Sequence, residues 1–278
     1  MGKRVSLPCV ALAVVISVVS HAEVARSDDD EVDAWVHVTS AGGCGPGMVE
    51  VAGDYCPELP EQKCVRWVTP GNTKGRCAEF APSEACQVPT VRKHFCMDRF
   101  EYPNVSGQKP LVMKSWLEAS TLCGGAGKRL CNDSEWTLAC EGPERLPYPY
   151  GLARDATACN IDKPPINVNE EDLRSLARRD AETRRLWQGE PSGARERCKS
   201  AFGVQDMTGN VDEWVVNEKG KPHRSALKGG YWSWVRGRCR PLTDGHAEDF
   251  RYYQIGFRCC SDAGASAARE TTTESAAR

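Results

Sequence analysis

The chain has 278 residues, and its 36 basic against 38 acidic side chains give a formal net charge of −2. This balance does not support nucleic-acid binding, which usually needs a strong basic excess. A hydrophobic fraction of 40% with 27% charged residues is typical of a globular protein, and it excludes a multi-span membrane protein, a collagen-like chain and a histone-like basic protein. After the N-terminal segment, no apolar run reaches the roughly 18 residues that a membrane span needs.

Residues 1–22 are typical of a secretory signal peptide. A basic start at Lys3 and Arg4 precedes an apolar stretch at residues 10–19, and a small-x-small cleavage site ends at Ala22. The alternative, a short membrane anchor, is disfavoured because the apolar run is short and polar residues follow at once. We therefore expect removal of this segment and a secreted, periplasmic or cell-envelope location.

Fifteen cysteines are many for a protein of a reducing cytosol. Removal of the signal peptide takes Cys9 with it and leaves fourteen, an even number that predicts a disulfide framework of up to seven bridges. A zinc site would be indicated by paired C-x-x-C spacings, and the sequence contains none. We expect the adjacent Cys259 and Cys260 to bond two separate partners rather than each other.

After the signal peptide, the chain is predicted to continue as a leader followed by a cysteine-rich region. Residues 23–43 are first acidic and then Gly-rich, as in a leader onto a fold. Six cysteines lie among prolines and glycines in residues 44–96, which predicts short strands and loops held by bridges. Within this region, the alternation of residues 48–52 predicts a strand.

Two helix starts follow the cysteine-rich region. Ser115 and Glu118 form an S-x-x-E capping box, and Gly124-Gly125 is predicted to end that first helix. A second helix is predicted to start at Asn132-Asp133-Ser134-Glu135 and to stop at Gly142-Pro143.

The remaining predicted elements are an insertion and a tail. Residues 170–187, inside an insertion at 165–197, are predicted to form one charged surface helix whose arginines are a solvated face. Residues 263–278 are rich in Ala, Ser, Thr and Glu and are predicted to be disordered. The main domain is thus expected over residues 44–262. The insertion helix would bury a thin apolar stripe consisting of Leu173, Leu176 and Leu186.

Six short motifs follow one another along this domain in the order seen in a known family. They are Phe100-Glu101-Tyr102-Pro103-Asn104, Gly127-Lys128-Arg129-Leu130 with Glu135-Trp136, Tyr148-Pro149-Tyr150-Gly151, Gly209-Asn210-Val211-Asp212-Glu213-Trp214, Lys228-Gly229-Gly230-Tyr231-Trp232 and Gly256-Phe257-Arg258. Together they resemble the formylglycine-generating enzyme, or sulfatase-modifying factor, family, whose bacterial branches include pyoverdine-maturation proteins and iron-dependent sulfoxide synthases. The resemblance implies an α+β, C-type-lectin-like fold with little regular secondary structure, here rich in disulfides.

The resemblance also implies two long-range disulfides, Cys123–Cys259 and Cys140–Cys239. Each closes a loop of about a hundred residues, which would restrict the unfolded chain by roughly 4–5 kcal/mol in the chain-entropy model. Of the other ten cysteines, Cys159 and Cys198 are a suggested pair because they flank the insertion. The sequence does not assign partners to the remaining cysteines.

A structural calcium ion is a further implication of the resemblance. Calcium takes six to eight oxygen ligands, which a Gly-containing turn with flanking carboxylates can supply. The alternative is a helix N-cap in which Asp206 binds free N–H groups. A second family site would begin at Asn160 and Ile161, but a Pro-Pro pair and the insertion displace its acidic partners. The four implied ligands of the first site are Asp206, Gly209, Val211 and Glu213.

The family's oxidase chemistry depends on two cysteines that bind copper(I) through their thiolates. The matching interval here, residues 231–237, contains no cysteine, and Cys239 corresponds to the structural bridge. The sequence therefore argues against formylglycine generation by the two-cysteine copper route. The enzyme hypothesis that remains is another metal-dependent oxidation, with copper or iron, of a secreted peptide or small molecule.

The remaining catalytic candidates belong to no complete catalytic motif. His246 lies beside three carboxylates in residues 244–249, where it could hold a metal or act as a general base, although solvated charges in a loop explain the same pattern. The full set of weak candidates is Trp232, Ser233, Trp234, Arg236 and His246.

The alternative function is a non-catalytic, calcium-stabilised module that binds a peptide or a glycan. Aromatic and cationic side chains near the C-terminus could line a groove for such a ligand, although aromatic clusters of this kind more often form a core. A third hypothesis is an envelope-structural scaffold. The groove residues would be Trp232, Trp234, Tyr252, Tyr253, Arg236 and Arg238.

Overall fold

The computed structural model describes residues 43–72 and 76–264. The predicted signal peptide and nearly all of the predicted leader and tail lie outside the described residues. Ten strands and four helices form within the described part. They are β1 (Met48–Tyr55), β2 (Cys64–Trp67), β3 (Cys77–Phe80), β4 (Val91–Asp98), α1 (Trp116–Gly125), β5 (Arg129–Leu130), α2 (Asp133–Glu141), α3 (Glu170–Arg174), α4 (Arg179–Leu186), β6 (Asp212–Val216), β7 (Ser225–Lys228), β8 (Leu242–Thr243), β9 (Ile255–Phe257) and β10 (Cys259–Asp262).

The strands form three sheets, with the orders β1-β4-β10-β5, β2-β3 and β8-β7-β6-β9. In the first sheet, β1 pairs antiparallel with β4 from Met48 opposite Asp98 to Tyr55 opposite Val91. In the third, β6 runs parallel to β9 and antiparallel to β7. Short helices beside these small sheets confirm the predicted α+β class.

The predicted strand at residues 48–52 is confirmed and extends to Tyr55 as β1. Val49 and Val51 are buried while Glu50 and Ala52 are exposed, because successive side chains of a strand point to opposite faces. Three disulfides close within the cysteine-rich region, so the predicted region of short strands and bridges is also confirmed.

Both predicted helix starts are confirmed. The Ser115 hydroxyl accepts a hydrogen bond from the Glu118 N–H at 3.2 Å, and the Glu118 carboxylate accepts one from the Ser115 N–H at 2.8 Å. The second helix, α2, ends at Gly142 as expected. The first helix, α1, ends at Gly125, as the Gly124-Gly125 pair predicted, and Gly127, with a φ of 70°, follows its C-cap residue Ala126.

The single helix predicted for residues 170–187 is two short helices, α3 and α4. Ser175 has an extended backbone between them, and Arg178 folds back to form ion pairs with Glu171 and Asp172. The predicted apolar stripe fails at Leu176, which is 86% exposed. A continuous helix would place Leu176 on the face of Leu173, three residues before it, so burial of Leu173 and exposure of Leu176 require the break.

The largest core cluster joins three of the structural layers. It includes Val51 of β1, Phe95 of β4, Trp136 of α2 and Val215 of β6, all almost fully buried. Full burial of a side chain such as Phe95 contributes roughly 1.5–3 kcal/mol. This core fixes α2 against the first and third sheets.

All fourteen cysteines of the described residues form disulfides. Cys259 and Cys260 bond separate partners, as expected. The two pairs that the resemblance implied and the suggested pair across the insertion are all present. The seven bridges are Cys44–Cys96, Cys56–Cys86, Cys64–Cys77, Cys123–Cys259, Cys131–Cys260, Cys140–Cys239 and Cys159–Cys198.

Within the part of the chain that the structure describes, no helix has the length and apolar character needed to cross a membrane.

Candidate functional site

A cleft of about 860 Å³ opens between the β2–β3 hairpin and the loop at residues 234–238. We call it the basic cleft because five basic side chains and two glutamates line it together with an aromatic wall. The basic residues are Lys63, Arg76, Arg154, Arg236 and Arg238, the glutamates are Glu61 and Glu84, and the aromatic residues are Trp67, Phe80, Tyr148 and Trp234.

The loop that carries Trp234 depends on two consecutive glycines. Gly229 and Gly230 have φ angles of 85° and 72°, a conformation that glycine adopts without steric cost. A Cβ on Gly230 would lie 2.9 Å from the backbone nitrogen of Gly237, so the loop returns onto its own start. This turn places Trp234 and the arginines that follow it at the cleft.

The opposite wall is built by β3 and by the segment after the Y-P-Y-G motif. The Phe80 N–H donates to the Leu152 carbonyl at 3.1 Å, and the Arg154 N–H donates to the Ala78 carbonyl at 2.9 Å. The Phe80 ring packs against Tyr148 with centroids 6.1 Å apart. The Cys64–Cys77 disulfide joins β2 to β3 in the same wall.

Asp162 holds two of the cleft arginines. Arg154 donates to its carboxylate from Nε at 2.7 Å and from Nη2 at 2.8 Å, and Arg76 donates to the same carboxylate. Burial alone would raise the pKa of Asp162, but the bonds from Arg154 and Arg76 outweigh it and hold the pKa below its ordinary value. The Trp234 indole N–H donates to the Asp162 carbonyl at 2.9 Å, which fixes this exposed ring at the cleft.

The two arginines of the loop differ in their partners. Arg236 donates to the Asp212 carboxylate at 2.7 Å, and Asp212 is almost fully buried. Burial raises the pKa of Asp212, and the charge of Arg236 opposes that rise. The Arg238 guanidinium lies 4.8 Å from the centre of the Phe80 ring and, among the described residues, forms no ion pair with a carboxylate.

Only half of the groove proposed from the sequence lies on the basic cleft. Trp234, Arg236 and Arg238 line it, as expected. Trp232 does not, because its ring is 1% exposed and packs against Trp187 at 4.9 Å. The two tyrosines of the proposed groove also lie elsewhere. Tyr253 is buried in the same core cluster as Trp232, and Tyr252 lines separate pockets.

The two other weak catalytic candidates also lie away from the cleft. Ser233 is buried. His246 stacks on Phe250 with ring centroids 4.1 Å apart, and burial lowers its pKa, so the ring is neutral near pH 7. Of the carboxylates beside it, Glu248 is paired with Arg224. In residues 43–72 and 76–264, no three His, Cys, Asp or Glu side chains lie close enough together to hold a metal ion.

The two carboxylates implied for the first calcium site, Asp206 and Glu213, already accept hydrogen bonds from protein groups. Asp206 accepts one from the Gly193 N–H at 2.6 Å. The N-cap alternative is wrong, because β6 rather than a helix follows Asp206. Both oxygens of Glu213 accept bonds from Arg258, and one also accepts the Trp136 indole N–H at 2.7 Å. As bonded here, the side chains do not fit a calcium site, and calcium stays a prediction from the resemblance.

Asn160 and Ile161, implied for the second calcium, lie beside the first group. The Asn160 amide donates to the Gln188 carbonyl and to the Asn210 side chain, while its own Oδ1 has no partner among the described residues. Ile161 is buried next to the Cys159–Cys198 disulfide. The free Asn160 Oδ1 is one candidate oxygen ligand, and the second site also stays a prediction from the resemblance.

The residues present do not fit the family's copper site either. Copper(I) requires thiolate ligands, and every cysteine of the described residues is bonded to another cysteine. The two cysteines nearest the basic cleft, Cys64 and Cys77, form a bridge with each other.

The fold and the cleft define a disulfide-rich α+β domain with a cationic, aromatic cleft. A family model described as the sulfatase-modifying factor enzyme 1-like domain matches residues 60–263. The chain belongs to this family, which confirms the resemblance found in its motifs.

Two proteins of Bos taurus are similar in sequence to this chain. The chain is 28% identical over 181 residues to a formylglycine-generating enzyme, covering 55% of this chain and 44% of the relative. It is 26% identical over 178 residues to an inactive C-alpha-formylglycine-generating enzyme 2, covering 56% of this chain and 51% of the relative. The chain thus spans about half the length of each relative. Among solved structures, CarF shares the fold, with a TM-score of 0.50, 16% identity, and coverage of 77% of this chain and 97% of that chain.

Proposed function

We propose that this chain is a non-catalytic member of its family that binds a peptide through the basic cleft. One observation carries the proposal. The loop that holds two thiols in the family's oxidases here presents an exposed tryptophan, Trp234, and two arginines to the cleft. Among the described residues, the cysteines that line the cleft, Cys64 and Cys77, are bonded to each other. The name of one relative, an inactive formylglycine-generating enzyme 2, agrees with a family branch that lacks the oxidation.

The cleft has the size and the chemistry of a binding site. Its volume of about 860 Å³ falls within the range of ligand sites, and its wall combines apolar rings with fixed polar groups. Trp, Tyr and Arg are the residue types that most often dominate binding energy at interfaces. Rings such as Trp67 and Trp234 can pack against apolar side chains of a peptide, and the neighbouring guanidinium groups can donate hydrogen bonds to its carbonyl oxygens.

The expected location follows from the disulfides. Seven bridges in one domain are typical of proteins from oxidising compartments. We therefore propose that the ligand is a secreted or envelope peptide.

The test is a peptide array and a glycan array probed with the folded protein, its Trp234→Ala variant and its Leu176→Ala variant. Leu176 is a matched control because it is an exposed apolar residue outside the cleft. We expect peptide binding that falls at least about tenfold in Trp234→Ala and is unchanged in Leu176→Ala. Binding of no peptide, or equal binding by Trp234→Ala, would overturn the proposal.

The same preparation tests the enzyme hypothesis. Bound peptides are incubated with the protein, oxygen and either copper or iron, and their masses are measured. We expect no change in mass and no oxygen uptake. Metal-dependent oxidation of a bound peptide would replace the binding function by a metal-dependent modifying enzyme that avoids the two-cysteine route.

A further inference from the structure

Charge is distributed unevenly within the basic cleft. Arg76 and Arg154 share the single carboxylate of Asp162. Lys63 is paired with Glu84 and Arg236 with Asp212. Glu61 also lines the cleft. Five basic groups therefore face four carboxylates, and the cleft carries a surplus of one positive charge.

Arg238 is the one basic residue of the cleft whose side chain forms no ion pair in the described part of the chain. Its guanidinium is partly buried on the Phe80 ring. Burial lowers its pKa; the charge of Glu61 opposes this shift and the charge of Arg154 adds to it. A guanidinium withdrawn from water without a carboxylate partner is costly, and an anion that bonds to it would remove that cost.

We propose, building on the peptide-binding function above, that the basic cleft selects a peptide carrying one Asp or Glu side chain, whose carboxylate bonds to Arg238. The geometry also assigns the flanking position: an apolar residue of the peptide packs on the exposed ring of Trp234. A carboxylate matches the surplus of one charge, and the planar guanidinium can donate two parallel hydrogen bonds to it.

An acidic glycan fits the same cleft less well. Polyanionic chains are usually held by an extended basic surface, whereas here four of the five basic groups already form ion pairs and the cleft has a surplus of only one positive charge. The observations therefore favour an acidic peptide, and binding of an acidic glycan is an outcome that the test separates.

The test uses the tightest acidic peptide from the array and its counterpart in which that Asp or Glu is replaced by Asn or Gln. Affinities of both are measured by titration calorimetry for the wild-type protein, Arg238→Gln and Arg92→Gln. Arg92 is a matched control because it is an exposed arginine on β4, paired with Asp54 and away from the cleft.

We expect the wild-type protein and Arg92→Gln to prefer the acidic peptide by about ten- to hundredfold, the usual effect of a hydrogen bond to a charged group. In Arg238→Gln the preference falls to about twofold or less, while the amide peptide binds as before. If Arg238→Gln does not unfold cooperatively, and is therefore not folded, Arg238→Lys is used instead. Lysine keeps the positive charge but lacks the two parallel N–H donors of a guanidinium, so the preference for the acidic peptide is expected to fall several-fold.

The outcomes separate this inference from the function on which it rests. If no peptide binds, the peptide-binding function fails and the inference fails with it. If peptides bind in a Trp234-dependent manner but are neutral or basic, or if the acidic preference survives in both Arg238 variants, only the inference is overturned. Binding of acidic glycans without any peptide overturns both.

Discussion

Arg258 and Glu213 form an ion pair in which both side chains are fully buried, with two nitrogen–oxygen distances of 2.7 Å. Arg258 also donates to backbone carbonyls of Asp98, Arg99 and Gln205. The pair therefore ties the family's closing G-F-R motif to its G-N-V-x-E-W motif, and it occupies the carboxylate that a calcium ion would need.

Loss of one member of this pair is expected to be strongly destabilising. Arg258→Met leaves the Glu213 carboxylate buried without its partner, and we expect a loss of about 3–5 kcal/mol in the free energy of unfolding, measured by urea denaturation. The double variant with Glu213→Gln removes the buried charge and should recover part of this loss. A change below about 1 kcal/mol in Arg258→Met would contradict the role given to the pair.

The bonding of Glu213 and the family resemblance lead to opposite expectations for the effect of calcium chelation on stability. Because Glu213 is bonded to Arg258 and Trp136, we expect the melting temperature in EDTA and in excess calcium to agree within about 2 °C, a shift that corresponds to less than about 1 kcal/mol for a domain of this size. Calorimetric scans in both conditions make the comparison. A melting temperature that rises steadily with calcium concentration would instead place an ion at Asp206–Glu213.

The buried Lys228 predicts a pH dependence. Burial lowers its pKa to about 7, and its ammonium group donates to the Thr137 hydroxyl and to the Arg240 carbonyl. Between about pH 7 and the ordinary lysine value of 10.5, the unfolded chain binds more protons than the folded one, so this group makes the protein more stable as the pH rises.

The matched comparison is the wild-type protein against Lys228→Met at several pH values above neutrality. The wild type should gain stability relative to the variant with a slope that approaches about 1.4 kcal/mol per pH unit. Urea denaturation measures the difference. A difference that is constant with pH would show that Lys228 keeps its charge in the folded protein.

The disulfides are expected to differ in their contribution to stability. The Cys123–Cys259 bridge spans 136 residues and the Cys64–Cys77 bridge spans 13. In the chain-entropy model, removing them by paired Cys→Ser substitution should cost about 5 and about 3 kcal/mol respectively.

The two paired variants should also differ in ligand binding. Loss of the Cys64–Cys77 bridge loosens one wall of the basic cleft, so peptide affinity should fall in that variant and stay unchanged in the other, provided that both still fold. Equal peptide affinity in both would show that the bridge does not shape the cleft.

Local signals and family motifs predicted different parts of this structure. The capping pair Ser115 and Glu118 predicted the start of α1 because both residues act within one turn. The two long-range bridges, Cys123–Cys259 and Cys140–Cys239, came from the motifs alone, since no local pattern pairs residues so distant.

The basic cleft was only half predictable. Trp232 and Trp234 are the same residue type two positions apart, and only the turn at Gly229-Gly230 decides that the first is in the core and the second is exposed. The wall formed by Phe80 and Arg76 carries no signal in the sequence, because its place depends on backbone pairing with residues 152–154.

The central claim is that every cysteine of the domain is bonded to another, which leaves the cleft without the thiols of the family's oxidases. The most direct test is alkylation of the denatured, unreduced protein followed by mass mapping of its peptides. We expect that none of the fourteen cysteines from Cys44 to Cys260 is alkylated and that all seven bridges are recovered as pairs. Alkylation of any two of them, above all Cys64 and Cys77 beside the cleft, would contradict it.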